Sequence, residues 1–502
     1  MNVEIIVFIL YFVAVFGVSL VFFFNGSNQD GDDYFLGGRS MGPWVTALSA
    51  QASDMSGWLL MGLPGSILAF GFGQMWIGIG LCLGTAANWI FCAKRLRRFS
   101  KAANDSITLP EYLRNRFCAQ SYTMQLVCAV IFLICFTVYV ASAFVSGATV
   151  FTELFPNVNE HVAMLVFALL IIGYTLLGGF KAVCWTDFFQ GMLMLVALLS
   201  IPIVILATKS LDTSLLDQVY TYTDTDGTIV KCAFGTSIFD ASWQDIVSGL
   251  AWGLGYFGMP HILVRFMSIE KPSMIKKSAT IAIIWVIITL GSACAIAYFG
   301  RMLVAGDLLP TGSQKTIFIY LARMLFPGAI SGILLAAIMA AAVSTADSQI
   351  LVASSSFTED IYKRIRPDAS DKEVLMIGRL VVLGVAIVAY LIASSKGTGA
   401  QAIMNMVENA WAGFGSAFGP VILLTLFWRR FNYFGAIAGI VVGALVDVLW
   451  LFCFSSSTGI YELAPGFICG GIAAIVATII TPEPSQDVLD IYDKATDPNI
   501  DD

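Results

Sequence analysis

The chain has 502 residues, of which 58% are hydrophobic and 12% are charged, and its mean hydropathy is +0.82. Soluble domains carry about 25% charged residues, so this composition excludes a soluble domain and indicates a polytopic membrane protein. Almost all of the net charge of −7 lies after residue 481, and no basic stripe suggests a nucleic-acid partner. We expect the acidic tail, residues 482–502, to be solvated and disordered.

Apolar runs near the length that crosses about 30 Å of hydrocarbon mark thirteen candidate spans. They centre on residues 3–24, 43–70, 74–93, 123–153, 161–180, 187–208, 243–264, 278–300, 317–356, 374–394, 404–428, 434–454 and 460–481. The first run follows no basic residue and lacks a small-residue cleavage site, so we expect a retained span. Of the 27 Lys and Arg residues, 19, including Arg39 and Arg265, fall in loops on one side. The positive-inside rule therefore predicts a cell-membrane protein with its N-terminus outside and its C-terminus in the cytoplasm.

The second span contains a carboxylate, Asp54, near its middle, with Ser53, Ser56 and Gly57 around it. A charge at that depth costs roughly 2.5 to 3.5 kcal/mol or more, so this stretch predicts a broken helix at a functional site. From the residues alone, Asp54 could neutralise a cation, accept a proton or pair with an arginine.

Four other acids lie in or near the predicted spans: Asp187, Asp347, Glu408 and Asp447. Asp187 follows a turn, KAVCWT, and we expect it at the membrane interface. Asp347 lies on a different helix face from the hydroxyl residues before it, and Asp447 lies in a peripheral span. We expect structural roles for these two.

The seventh span is interrupted in the same way as the second. Glycines crowd this span at Gly249, Gly253, Gly255 and Gly258, just before Pro260. One glycine-rich span would indicate close packing alone. The two interrupted spans are five apart and so cross in opposite directions, which is typical of a transporter site between inverted repeats. Trp252 and Tyr256, at i and i+4, could hold an apolar ring between them.

The ninth span offers oxygen ligands. Ala341, Ser344 and Thr345 lie on one helix face, and hydroxyls with the carbonyls freed by a broken helix suit Na⁺. Such hydroxyls also bond to the preceding turn or join helices. The cation interpretation therefore depends on this face meeting the break in the second span.

No pattern in the sequence predicts an enzyme or a bound cofactor. The Gly-rich run at residues 173–179 has glycine where a phosphate loop needs lysine. The two histidines, His161 and His261, are too few for a His-based metal cluster, and the ten cysteines are scattered as small core residues. An ion gradient is the energy source that we expect for uphill transport.

Several long stretches together resemble the sodium/solute symporter family. They are DDYFLGGRSMGPWVTALSAQASDMSGWLLMGLPG at 32–65, YTLLGGFKAVCWTD at 174–187, WGLGYFGMPHILVRFM at 252–267 and WAGFGSAFGPV at 411–421. The family's general signatures are matched by YTLLGGFKA and RFNYFGAIAG, and the resemblance, specific to the proline branch, covers about residues 3–482.

This resemblance implies an all-α fold with thirteen transmembrane helices and a leucine-transporter-like 5+5 inverted-repeat core. The implied parts are a first helix and loop at 1–42, a first repeat at 43–208, an outer loop at 209–242, a second repeat at 243–428, two further helices at 429–481 and the tail at 482–502. The implied function is sodium-coupled import of L-proline by alternating access, with Na⁺ as coupling ion and no obligate protein partner.

The resemblance also assigns site residues. The implied sodium ligands are the carbonyls of Ala52, Met55 and Ala341 and the hydroxyls of Ser344 and Thr345. The implied proline-binding positions are Ser56, Gly57, Tyr139, Trp252, Tyr256 and Pro260. Asp54 matches an acid that the family requires for sodium coupling, and Arg39 matches a sensitive arginine near the cytoplasmic entrance. We expect Asp54 to be the cation's electrostatic neighbour and not its ligand. Met259, residues 346–348 and the tail depart from the family pattern.

Two other interpretations remain open at this point. The substrate could be another small solute, such as a different imino acid or a pantothenate-like acid. The core could also act as a sensor or a channel.

Overall fold

The computed structural model describes residues 3–24, 35–223, 227–396 and 400–497. Its helices are α1 (Val3–Phe24), α2 (Pro43–Asp54), α3 (Leu63–Phe70), α4 (Met75–Ala87), α5 (Lys94–Ala102), α6 (Leu109–Arg116), α7 (Thr123–Leu154), α8 (Glu160–Thr208), α9 (Trp243–Ala251), α10 (Pro260–Ser268), α11 (Ile275–Leu303), α12 (Ala305–Leu308), α13 (Ile317–Leu325), α14 (Gly328–Ser355), α15 (Lys363–Ile365), α16 (Asp371–Lys396), α17 (Ala400–Phe427), α18 (Tyr433–Cys453), α19 (Ser455–Thr458), α20 (Leu463–Ile480) and α21 (Gln486–Thr496). Short 3₁₀ or π turns lie at Gly37–Arg39, Trp58–Gly62, Phe72–Gln74, Asn88–Ala93, Thr213–Asp217, Trp252–Phe257, Pro272–Met274, Gln314–Thr316 and Ser356–Tyr362. Strands β1 (Tyr220–Thr223) and β2 (Ile229–Cys232) form an antiparallel hairpin with Tyr220 opposite Cys232.

The described helices are those of a multi-pass membrane protein. Nine of them are long and apolar enough to cross a membrane, and the bent pair Trp243–Phe257 and Pro260–Ser268 makes up to ten. Shorter apolar helices lie at Val3–Val18, Trp58–Phe70 and Glu160–Gly173. Large apolar side chains such as Leu169, Ile284 and Leu391 are exposed on the outer surface, where lipid would cover them.

Three predicted spans differ in their bounds from the observed helices. Residues 161–180 and 187–208 lie in α8, in which two helices meet at a kink at Gly179, where φ of 61° suits glycine. The two predicted spans correspond to the apolar helix Glu160–Gly173 and the span Gly179–Thr208. The predicted run 317–356 is divided into α13 and α14. Phe326 precedes Pro327 and is extended (φ −124°, ψ 150°), the conformation that proline favours in the preceding residue.

The helix α14 forms the centre of the packing. Every residue from Leu334 to Ser355 is buried, and α14 packs against α1, α7 and α8. The Ala-rich sequence 336–342 allows these helices to approach closely, as small residues do between membrane helices.

The two predicted helix breaks are confirmed. The first helix stops at Asp54, and the chain resumes in the π turn that begins at Trp58. The second stops at Ala251, passes through the turn Trp252–Phe257, and resumes at Pro260 after a bend of 42°. A Cβ on Gly255 would lie 1.9 Å from Nε1 of Trp411, so this turn needs glycine there to pack against α17.

The broken helices run antiparallel to each other. Met41 at the start of α2 bridges Ile269 after the end of α10, and Trp58 stacks on Trp252 at the opposite end. Positions in the first broken helix therefore meet positions in the second in reverse order, which brings the two breaks together.

The two ends of the helical body carry different elements. The hairpin end carries β1 and β2, where the Arg301 guanidinium donates to the Cys232 carbonyl (3.3 Å). The basic end carries α5, α6 and α21, and there Arg97 donates to the carbonyl of Ile269 (2.7 Å).

The prediction of a disordered tail is wrong for residues 486–496. These residues form α21, which packs on α5 at the basic end. Val488 and Ala495 are buried under it at a spacing of two helical turns. The acidic composition of the tail led to the expectation that it is solvated. The apolar face that contains Val488 and Ala495 instead holds this helix against α5.

We predict that Gly255→Ala destabilises the protein by about 1 to 3 kcal/mol, because its methyl group would displace Trp411. Thermal unfolding of the detergent-purified protein measures this effect. Gly291→Ala in α11 is the matched control, since its Cβ would meet nothing within 4 Å. Equal loss of stability in both variants would contradict the packing assigned to Gly255.

Candidate functional site

The site is built where the two breaks meet. Asp54 ends α2, and Tyr256 lies in the turn between α9 and α10. The Tyr256 hydroxyl donates a hydrogen bond to Oδ2 of Asp54. The hydroxyl of Tyr139, from α7, donates to the main-chain oxygen of Asp54 at 3.4 Å. The Tyr256–Asp54 bond thus joins the two breaks, and α7 satisfies the Asp54 carbonyl.

Asp54 is 5% exposed, and no lysine or arginine forms an ion pair with it within the described part of the chain. The arginine-pairing hypothesis for this residue is therefore wrong. Neutralising a cation and accepting a proton are the two roles that remain for this buried carboxylate, which accepts a hydrogen bond from the Tyr256 hydroxyl.

Aromatic rings close the site toward the hairpin end. Trp252 stacks on Trp58 with ring centroids 5.8 Å apart and on Tyr461 at 5.3 Å. The indole N–H of Trp411 donates to the Trp252 carbonyl at 2.8 Å, and the Trp411 ring meets Tyr256 edge to face at 5.1 Å. This hydrogen bond fixes the unwound turn against α17.

Two cavities lie on either side of Trp252. The closed one, of about 10 Å³, is lined by Asp54, Met55, Ser56, Trp58, Leu81, Tyr139, Trp252, Val407 and Trp411. The larger one, of about 530 Å³, extends to the hairpin end and includes Glu408, Tyr461 and Glu462 in its lining. The aromatic layer therefore separates a wide vestibule from a small closed site.

Three of the predicted cation ligands, Ala52, Ala341 and Ser344, come together. The Ser344 hydroxyl, on α14, donates to the carbonyls of Ala52 (2.8 Å) and Ala341 (3.2 Å). The Thr345 hydroxyl is fully buried and has no hydrogen-bond partner in the described residues. Buried polar groups are normally paired, so this oxygen and the two carbonyls suit a hard cation. Met55 is the residue directly after α2. Its backbone N–H still makes the last helical hydrogen bond, to the carbonyl of Gln51 (3.1 Å).

The other predicted positions shape the break. The Ser56 hydroxyl accepts from the backbone N–H of Trp58 (3.2 Å). A Cβ on Gly57 would lie 2.7 Å from Cβ of Ser146, so glycine lets α7 approach the break. Pro260 is buried at the first position of α10, where its missing N–H costs no helical hydrogen bond.

Arg39 lies outside this site, at the basic end. Its Nε pairs with Asp105 (2.7 Å), and its terminal nitrogens donate to the carbonyls of Met267 (2.5 Å) and Ser106 (2.8 Å). Arg39 therefore ties the chain before α2 to the end of α10 and to the α5–α6 connection. It can influence the site through the positions of these two helices.

The expectation that Asp187 is interfacial is wrong. Asp187 and Arg265 are 0% and 1% exposed and form an ion pair at 3.1 Å in the interior. Ser49 donates to Asp187 (2.7 Å), and Ser348 donates to it at 3.4 Å. Four helices, α2, α8, α10 and α14, meet at this pair, and Arg265 is a helix residue, not the loop residue expected from sequence.

Asp347 and Asp447, for which we expect structural roles, are both buried. Asp347 accepts from the backbone N–H of Ser348 (2.5 Å). Asp447 accepts from the Ser416 hydroxyl (3.0 Å) and so joins α18 to α17.

Trp58, Trp411 and Tyr461 were missed as site residues. Trp58 and Trp411 both lie in stretches that carried the family resemblance, which is the signal that could have identified them. Tyr461 lies in a short connection between α19 and α20, and no sequence pattern marks it.

Two broken antiparallel helices with polar groups at the gap define a transporter-type membrane protein. A sequence model of the sodium:solute symporter family matches residues 34–443, and the chain belongs to that family. Its members are transporters and not enzymes.

Curated relatives are similar over nearly the whole chain. The high-affinity proline transporter PutP of Bacillus subtilis is 43% identical over 466 residues, covering 93% of this chain and 96% of that protein. Sodium/proline symporter 2 of Staphylococcus saprophyticus is 41% identical, with coverage of 97% and 93%. The sodium/proline symporter of Haemophilus influenzae is 40% identical, with coverage of 98% and 97%.

Solved structures share the fold. A Na⁺-coupled sialic acid symporter in a substrate-bound outward-open state superposes with a TM-score of 0.72 at 21% identity, covering 97% of this chain and 99% of that one. Mhp1, a nucleobase-cation-symport-1 family transporter in a closed conformation, superposes with a TM-score of 0.53 at 12% identity, covering 92% and 98%.

We predict that Arg265→Leu costs about 3 to 5 kcal/mol of stability, because it leaves the Asp187 carboxylate buried without its charge partner. Arg366→Leu is the control: its pair with Glu373 is 64% exposed on the arginine side and should cost about 1 kcal/mol or less. Thermal unfolding in detergent compares the two variants. Similar losses in both would contradict the account of the buried pair.

Proposed function

We propose that the protein is a sodium-coupled symporter that imports L-proline across the plasma membrane by alternating access. The observation that carries this proposal is the meeting of the Ala52 and Ala341 carbonyls with the Ser344 hydroxyl, beside the unpaired Thr345 hydroxyl. The names of the relatives support the substrate and the ion. Na⁺ is a transported coupling ion here, and the proposal needs no cofactor, nucleic acid or obligate protein partner.

In this proposal the carbonyls of Ala52, Met55 and Ala341 and the hydroxyls of Ser344 and Thr345 hold Na⁺. The Ser344 hydroxyl turns its lone pairs to the cation and gives up its hydrogen bonds to the two carbonyls, which then also face the cation. Thr345 gains the partner that it lacks. The ion thereby joins the end of α2 to α14.

Proline occupies the closed cavity once the aromatic layer rearranges. Its ring packs on the faces of Trp252 and Tyr139, and its carboxylate meets the backbone amides freed at Ser56 and Gly57. The resumed helix starting at Trp58 directs its positive end to the same place. Tyr256 and Pro260 complete the second side of this site.

Asp54 links the two ligands. It lies between Ala52 and Met55 in sequence, and its carboxylate receives the Tyr256 hydroxyl from the other break. Fixing the Ala52 and Met55 carbonyls on Na⁺ therefore fixes the carboxylate that positions Tyr256. Both ligands therefore stabilise the same arrangement of the two breaks, and this shared stabilisation is the coupling. Bound Na⁺ raises the affinity for proline by the same factor by which bound proline raises the affinity for Na⁺. Arg39 tunes it by holding the basic ends of the same two helices.

We also propose thirteen spans, with inverted repeats at residues 43–208 and 243–428. The remaining parts are the first helix and loop at 1–42, the outer loop at 209–242, the last helices at 429–481 and the tail at 482–502. The antiparallel pairing of the broken helices supports this division. The excess of Lys and Arg supports a basic end in the cytoplasm, with the N-terminus and the hairpin end outside.

The test is uptake of labelled proline by proteoliposomes under an inward Na⁺ gradient, beside Li⁺ and H⁺ gradients. We expect saturable uptake that requires Na⁺ and that unlabelled proline suppresses. Absence of labelled proline uptake, or suppression of it by a different imino acid or a pantothenate-like acid at lower concentrations than unlabelled proline requires, would contradict the substrate. Unsaturable flux would indicate a channel.

We predict that Thr345→Ala raises the sodium concentration for half-maximal uptake roughly tenfold, which corresponds to about 1.4 kcal/mol, because one ligand oxygen is lost. Thr289→Ala is the matched control, since Thr289 is also buried but bonds, among the described residues, to the carbonyls of the preceding turn, Trp285 and Val286. The measurement is proline uptake by proteoliposomes as a function of sodium concentration, for both variants and the parent protein. An unchanged sodium requirement in Thr345→Ala would remove Thr345 from the ion site.

A further inference from the structure

The tail helix α21 is bound to the basic end through an aromatic and apolar face. Val488 is buried, and the Tyr492 ring packs edge to face on Phe99 of α5 at 5.3 Å. Arg116, at the end of α6, donates to the Val488 carbonyl at 2.9 Å, and its guanidinium lies over the Tyr492 ring at 5.3 Å. This contact joins the tail to α5 and α6.

Charges bind the tail to the end of α17. Arg429, just after α17, donates two hydrogen bonds to the Asp493 carboxylate, at 2.8 and 2.7 Å. These bonds lower the pKa of the Asp493 carboxyl, so the pair is ionised at neutral pH. Arg430 approaches Glu483 at 3.5 Å, and Arg98 of α5 donates to the Asp497 carbonyl at 2.8 Å.

The helices joined by α21 are also those that hold the second break. Asn88, in the turn leading into α5, donates to the Tyr256 carbonyl at 2.9 Å. Trp411 of α17 donates to the Trp252 carbonyl at 2.8 Å. Arg95 of α5 donates to the Leu426 carbonyl of α17 at 2.8 Å, so the two helices already touch at the basic end. The tail spans this junction.

Two features make the docking reversible. The Arg429–Asp493 pair is about half exposed on both sides (51% and 50%), so salt screens it. Arg116 is fully buried, and its Nε and one terminal nitrogen have no hydrogen-bond acceptor within the described residues. Undocking would hydrate this guanidinium. The favourable free energy of hydration would offset part of the free energy that is lost with the contact.

We propose that α21 is an intrachain latch: when docked, it holds the ends of α5 and α17 together and slows opening toward the cytoplasm, and rising ionic strength releases it. This inference rests on the proposed function for the direction of opening and for the transport readout. The docking itself can be measured without substrate.

The docking test is maleimide labelling of Val488→Cys from the basic side, in inside-out vesicles, with the unsubstituted protein as background. Raising KCl from about 0.1 M to about 1 M shortens the Debye length from about 10 Å to about 3 Å. We expect labelling to become about threefold faster, and Asp493→Ala to give the fast rate already at low salt. Asp490→Ala is the comparison variant, because it removes the same charge from α21 but leaves both hydrogen bonds of the Arg429–Asp493 pair in place. Asp490 bonds to Gln486 within the helix and acts on Arg429 only through its charge, so we expect a smaller change than in Asp493→Ala. Labelling that is independent of salt and of Asp493 would overturn the latch.

The transport test compares initial proline uptake at saturating Na⁺ and proline. We expect Asp493→Ala, and a chain stopped after Pro484, to transport about threefold faster than the parent protein, with a smaller change in Asp490→Ala. Combining Arg429→Asp with Asp493→Arg should restore the slow rate. Equal or slower uptake by variants whose labelling shows an undocked tail would overturn the latch. Absence of sodium-dependent uptake in the parent protein would refute the proposed function instead, while the labelling result would still decide whether α21 undocks.

Discussion

The hydrogen bond from Tyr256 to Asp54 joins the two breaks on which the site depends. In hydrocarbon, every backbone and side-chain polar group needs a partner within the protein, so one broken helix alone would be costly. The two broken helices meet this need partly through each other, by the Tyr256–Asp54 bond, and partly through neighbouring elements. Tyr139 donates to the Asp54 carbonyl, Asn88 to the Tyr256 carbonyl and Trp411 to the Trp252 carbonyl. Gly57 and Gly255 allow α7 and α17 to close around the gap, and the Trp411 indole fixes the unwound turn.

Three polar contacts follow the same pair of broken helices from the site to the basic end. The Asp54 contact lies at the breaks, Arg265 of α10 donates to the Ser49 hydroxyl of α2 beside its ion pair with Asp187 of α8, and Arg39 bridges the ends of α2 and α10. The buried ion pair contributes little net stability, but losing one partner would leave an isolated charge. These contacts make the relative position of α2 and α10 discrete, which is a property that alternating access requires.

Much of the site was predictable because its signals are local. A carboxylate and glycines inside apolar runs identified both breaks, and the spacing of Ser344 and Thr345 predicted the face that meets Ala52. The parts that were missed depend on distant partners: Asp187 is buried because Arg265, 78 residues away, neutralises it. Trp411 and Tyr461 join the aromatic layer only through packing of α17 and the α19–α20 connection. Buried Val488 and Ala495 hold a tail that composition described as disordered, and the inverted repeats and thirteen spans remain predictions.

The central claim is that sodium and proline stabilise one arrangement of the two breaks through Asp54 and Tyr256. Sodium binding to the purified protein, measured by calorimetry with and without saturating proline, tests it most directly. We expect proline to raise sodium affinity about tenfold, a coupling of about 1.4 kcal/mol, and Tyr256→Phe to remove most of that gain while still binding sodium. A sodium affinity in the parent protein that proline does not change would contradict the account.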